Sequence, residues 1–138
     1  MAGHFGRFIR FALVGAAGFV VDAGVLYAGL ALGLGLYLGR ACSYLFAATF
    51  TWALNRRFTF AASSPPRLAE WLRFVLANAN GGIVNYLTYA ALVGWGPGWL
   101  GHPVLAVAAG SLAGLGINFA ASERFVFRGT SASATERA

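Results

Sequence analysis

Apolar residues run along this chain in four blocks, at about residues 8–30, 38–56, 74–93 and 101–121, each long enough to cross the hydrocarbon of a bilayer as a helix. Hydrocarbon offers no partner to a backbone N–H or C=O, so such blocks predict helices and exclude spanning loops. Residues 31–37 and Gly94–Pro103 are short, Gly-rich connections without acidic residues, whereas Arg57–Arg73 is longer, polar and charged. Ser63-Ser64-Pro65-Pro66 breaks the chain there, and Pro66 suits the opening of a short helix, Arg67–Arg73, that mixes charge with Trp71 and lies along the headgroups. The expected fold is an all-α membrane protein. One four-helix transmembrane domain covers residues 1–128, and a small polar stretch, 129–138, forms a disordered cytoplasmic tail.

The pattern also repeats. Phe8–Leu30 and Trp71–Val93 align at a constant offset, matching Arg10 with Arg73, Phe11 with Phe74, Gly18 with Gly81 and Asp22 with Asn85. Further on, Asn55-Arg-Arg-Phe-Thr-Phe60 matches Ser122-Glu-Arg-Phe-Val-Phe127, which pairs Thr51 with Asn118. Each half is one helical hairpin, and the two form a parallel repeat about an axis along the membrane normal.

Composition strengthens the membrane assignment. Of 138 residues, 59% are hydrophobic and 10% charged, against roughly 25% charged in a soluble domain. A soluble fold of this size could not hide that much apolar surface. The net charge of +6 rests on ten basic residues, all Arg. Arg7 and Arg10 flank the first block; Arg56, Arg57, Arg67 and Arg73 lie in the middle connection; Arg124, Arg128 and Arg137 follow the fourth; Arg40 alone falls on the other side. This asymmetry predicts both termini in the cytoplasm of an inner-membrane protein, with Trp95 and Trp99 anchoring the opposite interface. Arginines at the ends of apolar runs do not make the solvated basic face that nucleic acid requires. The apolar run after Arg10 is too long for a signal peptide and predicts a retained span.

Several polar residues fall inside the blocks. Asp22 lies near mid-membrane, where a carboxylate costs on the order of 2.5–3.5 kcal/mol and usually faces a partner or a polar cavity. Asn78, Asn80 and Asn85 in the third block, Asn118 in the fourth, and Thr51 and Asn55 in the second lie at related depths. Asp22, Thr51, Asn55, Asn78, Asn85 and Asn118 are therefore candidates to line a cavity that replaces water around a polar cargo; the bland alternative is hydrogen-bonded glue between helices. Arg56, Arg57 and Arg124 at one face and Arg40 at the other are candidates to hold a phosphate, against simple orientation and snorkelling. Gly110-x-x-x-Gly114 suits close helix packing. Cys42 stands alone, His4 and His102 lie at opposite faces, no nucleophile has a neighbouring base, and a Walker motif would need a Lys. Neither enzyme activity nor a metal or cofactor is expected.

Arg7-Phe-x-x-Phe-x-x-Val-Gly15 followed by Asp22, the ending Leu54-Asn-Arg-Arg-Phe-Thr-Phe60, and their second copies through Ile117-Asn-Phe-x-x-Ser-x-Arg-Phe-Val-Phe127 resemble the GtrA-like family over about residues 5–128. Thr51 stands where many members carry a second Asn, and Glu123 replaces the first of two basic residues. The resemblance implies an inner-membrane flippase that moves a polyprenyl-phosphate-linked monosaccharide for cell-surface polysaccharide synthesis. The alternative it implies is a non-catalytic anchor that recruits a glycosyltransferase. Partners would be the lipid-linked sugar and membrane lipid, and a homodimer would widen a path that four helices barely enclose. A proton-coupled cation exporter, similar to small multidrug resistance proteins in its acidic first span, is a third reading; it requires an aromatic cation site around Asp22.

Overall fold

The computed structural model describes residues 3–127, so the expected tail at 129–138 lies outside the described residues. Helices α1 (His4–Ala31) and α2 (Leu36–Leu54) form one hairpin; α3 (Leu68–Ala77), α4 (Ala79–Trp95) and α5 (Pro103–Ala121) form the second. No strand occurs among the described residues. On length and composition, α1 and the stretch from Pro103 through Val126 are apolar enough to cross a membrane. At 28 residues α1 is about 42 Å long. α2 has 19 residues and α4 has 17.

The third apolar block departs from its expected shape. The short helix does not stop at Arg73 but runs from Leu68 to Ala77, and the break falls at Asn78, inside the block. Asn78 leaves helical geometry (φ −91°, ψ 2°), and its Nδ2 donates to the Phe74 carbonyl at 2.7 Å. An asparagine that satisfies the preceding turn's carbonyl from its side chain competes with the helical ladder and allows the kink. Pro66 precedes the helix but does not open it, because Arg67 is still extended.

The second and fourth blocks share an ending that hydropathy does not reveal. Asn55–Thr59 and Ser122–Val126 are both π-helical, closed by Phe60 N–H to Asn55 O at 2.9 Å and Phe127 N–H to Ser122 O at 3.2 Å. These positions are repeat partners. The wider turn carries the chain so that Asn55, Thr59 and Phe60 point inward while Arg57 and Phe58 point out. Ser122, Phe127, Arg124 and Phe125 follow the same scheme.

Phe60 and Phe127 stack on each other, centroids 4.3 Å apart and planes 11° off parallel. Phe11 meets Phe60 at 6.4 Å, and its repeat partner Phe74 meets Phe127 at 6.4 Å. Equal distances between equivalent rings place the pseudo-two-fold axis through the Phe60–Phe127 stack. With Phe119, these rings form an apolar cluster at the end of the bundle that carries the termini. A second cluster, Leu26, Tyr89, Ala106 and Val107, lies near the end that carries the interhelical turns.

Close packing of α4 on α5 depends on glycine. A Cβ on Gly114 would press into the Gly81 carbonyl, and one on Gly110 into the Asn85 carbonyl, so the small-residue stripe seen in the sequence does set this contact. Gly114→Val should lower the thermal stability of the detergent-solubilised protein by about 1–3 kcal/mol through overpacking. Gly116→Ala, where a Cβ meets nothing within 4 Å, should leave it unchanged or slightly raised. Equal melting of the two variants would contradict this packing.

Candidate functional site

The two hairpins meet around one guanidinium. Arg40 sits one turn into α2, where hydropathy alone predicts a side chain snorkelling to the surface. It is instead completely buried. Its long side chain reaches back from near the turn: Gly29 faces Gly39 across the hairpin, so Asp22 lies about 9 Å further from the turn than the Arg40 backbone. Arg40 NH1 donates to both Asp22 carboxylate oxygens, at 2.6 and 2.8 Å, and to Ser43 Oγ at 3.2 Å. Arg40 NH2 donates to Asn85 Oδ1 at 2.5 Å. The rings of Tyr89 and Tyr44 flank the cation at 5.4 and 5.8 Å.

Asp22 and Asn85 are repeat partners. One guanidinium therefore spans the axis and joins equivalent positions of the two hairpins. The second hairpin has no matching cation, since Val107 occupies the position related to Arg40. Two like-charged guanidiniums could not share so small a space, and an amide at position 85 accepts from Arg40 without adding a second charge. A buried, fully paired carboxylate is not a vacant cation site, which removes the geometry that the cation-exporter reading needs.

Beneath this bridge lies a cavity of about 350 Å³ between α1, α2, α4 and α5, within the roughly 300–1,000 Å³ of small-molecule sites. It reaches from Asp22 down to Phe11, about 16 Å along α1. Its walls are mostly alanine, leucine and phenylalanine. Asp22, Thr51, Asn55, Asn78, Asn85 and Asn118 all contribute to its lining, so the structure brings these six together in one chamber. Asn80, by contrast, points outward. Tyr44 and Ser111, themselves repeat partners, also line the chamber; they were not singled out from sequence because Ser and Tyr are common inside membrane helices. The identity of their positions in the repeat was the available signal.

Most of the lining polar groups hold one another. Thr59 Oγ1 donates to Asn55 Oδ1 at 2.7 Å, and Asn78 exchanges hydrogen bonds with Ser122 at 3.0 and 3.1 Å. Asn85 Nδ2 donates to Ser111 Oγ at 3.4 Å. Asn118 differs: its Oδ1 is buried and accepts no hydrogen bond from the protein. Leaving a buried acceptor unmet costs about 1–3 kcal/mol, and this oxygen lies against Gly81, where an added Cβ would overlap it.

The arginines expected to hold phosphate separate into three situations. Arg40 is internal, with both terminal nitrogens engaged and its buried Nε without a partner, so the outer-face position expected for it is corrected. Arg56 is largely committed as well: its Nε pairs with Glu70 Oε1 at 2.8 Å, its NH2 reaches the Ser64 carbonyl and hydroxyl, and Trp52 Nε1 donates to the same Glu70 oxygen at 3.0 Å. Arg57 and Arg124 are exposed, each beside an exposed phenylalanine. Glu123, the departure from the repeated basic pair, pairs with Arg7 at 3.2 Å and His4 at 3.1 Å. Arg56 and Glu123 are repeat partners, and so are Glu70 and Arg7. The same tie between the end of one hairpin and the start of the other is thus made twice, with the charges exchanged.

Residues 10–127 match the family model described as GtrA/DPMS, transmembrane domain. No curated protein matches the chain.

Arg40→Leu should destabilise the protein by about 3–5 kcal/mol, because it leaves the Asp22 carboxylate buried without a counter-charge. Adding Asp22→Leu should recover most of that loss, measured by thermal unfolding in detergent. Additive losses in the double variant would contradict a direct pair.

Proposed function

This chain belongs to the GtrA/DPMS transmembrane-domain family, a membrane protein of lipid-linked sugar metabolism, and we propose that it translocates a polyprenyl-phosphate-linked monosaccharide across the inner membrane. In this reading the bundle crosses the bilayer four times with both termini in the cytoplasm, as the arginine asymmetry predicts. The observation that carries the proposal is the chamber: one sugar-sized space between two hairpins, with amides set into largely apolar walls, bounded at one end by stacked phenylalanines and at the other by the Arg40 bridge.

The sugar occupies the chamber, where the amides of Asn118, Asn55, Asn78 and Asn85 with Thr51 replace water around its hydroxyls. Asp22 acts through Arg40 and Asn85, holding the chamber's roof in place. Arg57 and Arg124, beside Phe58 and Phe125, receive the phosphate at the cytoplasmic interface by charge-assisted hydrogen bonds. Arg56 steadies the middle loop against Glu70. Access alternates as the two hairpins rock about their shared axis, with the paired π-turns absorbing the motion. Transport follows the lipid's own gradient.

The test is a leaflet-resolved assay with reconstituted protein and labelled polyprenyl-phosphate glucose. Wild type should equilibrate the lipid between leaflets. Asn118→Leu should slow this roughly tenfold, the equivalent of about 1.4 kcal/mol, while Asn80→Leu should not. Label that stays in its starting leaflet with wild-type protein would contradict translocation, and copurification with a glycosyltransferase would then favour the anchoring role.

A further inference from the structure

Cargo held in the bilayer can enter the chamber only where the chamber wall meets lipid. Of the described residues that line it, Ala16 on α1 and Leu112 on α5 are exposed, Leu112 to 74%, and the rest are buried or half-buried. Both belong to the seam between α1 and α5. Along α2 and α4 the lining includes no exposed residue. The chamber is therefore open on one side of the bundle.

Two apolar clusters frame the opening. Phe19 packs against the cluster near the interhelical turns, and Leu115 against the phenylalanines at the other end. Gly15 and Leu115 stand at one level, since a Cβ on Gly15 would meet Leu115 Cδ1 at 3.6 Å. From the Leu115 level to the Phe19 level is four residues of α1, about 6 Å. Ala16 lies in that interval, near the midpoint of the 28-residue helix. Leu13 and Val20 on either side of it are large and exposed, so the small residue leaves a notch in the lipid-facing row.

The repeat shows why the other seam is shut. Ala16 and Leu112 correspond to Ala79 and Leu45, so the α2–α4 seam begins from the same notch. There Tyr44 stands between the chamber and the groove along Ala79 and Ile83. Its hydroxyl rests against Gly82, where a Cβ would overlap it. Tyr44 corresponds to Ser111 and Gly82 to Phe19, so in the α1–α5 seam the plugging position carries a side chain too short to close it.

We infer that the chamber is loaded sideways, through a window between α1 and α5 framed by Ala16 and Leu112, and that Ser111 in the plugging position keeps this window open. A window near mid-bilayer faces hydrocarbon, which a water-soluble solute does not cross. What reaches it is an amphiphile already dissolved in the membrane, whose polar head suits the amides within while its tail stays outside. A height of about 6 Å passes one hydrocarbon chain and not the pair that a diacyl phospholipid carries, which favours a single-chain lipid such as a polyprenyl phosphate. The inference deepens the translocation reading by giving the route, and it rests on that reading for the sugar. Occupancy of the window is measurable without transport.

The probe is polyprenyl-phosphate glucose with a diazirine on the isoprene unit nearest the phosphate, photolysed with the full-length protein in nanodiscs and read by peptide mass spectrometry. Adducts on Leu13, Ala16 and Leu112 should exceed those on Ile83 and Leu87 roughly tenfold. Unlabelled lipid-linked sugar should suppress them, whereas excess phosphatidylcholine should not. Ala16→Trp and Ser111→Tyr narrow the window from opposite walls, and each should cut these adducts roughly tenfold. Ser111→Tyr also gives up the hydrogen bond from Asn85, and Ala16→Trp tests the window without touching it. Ala79→Trp, the matching change on the closed seam, should leave labelling as in wild type. Equal labelling of the two seams, adducts indifferent to Ala16→Trp, or suppression by phosphatidylcholine would overturn the window. Window labelling by a protein that leaves lipid-linked sugar in its starting leaflet would overturn translocation alone; translocation with equally labelled seams would overturn the window alone.

Discussion

One buried guanidinium organises this molecule. Taking a carboxylate and a guanidinium out of water is costly, and their mutual attraction offsets that cost only when geometry is good and remaining donors are met. Arg40 meets most of that condition by reaching across the bundle to Asp22 and Ser43 from its own hairpin and Asn85 from the other, and only its Nε is left without a partner. The same contact that neutralises the charge also fixes how the hairpins sit against each other. Hydrophobic packing between helices has little driving force in lipid, where tails are as apolar as leucine, so polar ties and close small-residue contacts specify the arrangement.

With the hairpins held at the Arg40 level and again at the Phe60–Phe127 stack, the space between those levels is bounded but not filled. Alanine, leucine and phenylalanine line much of it, and amides face inward at several depths. The two repeats have diverged in a consistent manner. Arg56–Glu70 and Glu123–Arg7 exchange charge; Tyr44–Gly82 and Ser111–Phe19 exchange size; Asp22 and Asn85 share one cation. Each change in one hairpin is met by a complementary residue in the other, which keeps the pseudo-symmetric frame while making the two seams different.

The sequence discloses the helices and the repeat because both depend on short-range periodicity and composition. The offset that aligns Phe11 with Phe74 and Phe60 with Phe127 already implies the axis on which those rings meet. Asp22 and Asn85 are legible as polar residues at one depth for the same reason. Arg40 is misread because charge near the end of an apolar block is ordinarily an orientation signal, and its partner lies 18 residues away in another helix. The break at Asn78 and the two π-turns depend on side-chain hydrogen bonds and backbone geometry that hydropathy does not register. Glu123 looks like a lost basic residue until Arg7 and Glu70 are seen as exchanged partners.

The central physical claim is that water, and then a sugar, occupies the chamber below Arg40. Hydroxyl-radical footprinting in nanodiscs measures this directly, since radicals generated in bound water oxidise the side chains beside it. Normalised for intrinsic reactivity, Phe19 and Leu115 in the chamber should be oxidised faster than Leu13 and Val20 on the lipid-facing side, and polyprenyl-phosphate glucose should protect the first pair alone. Chamber residues as silent as the lipid-facing ones, with no change on adding the lipid-linked sugar, would contradict it.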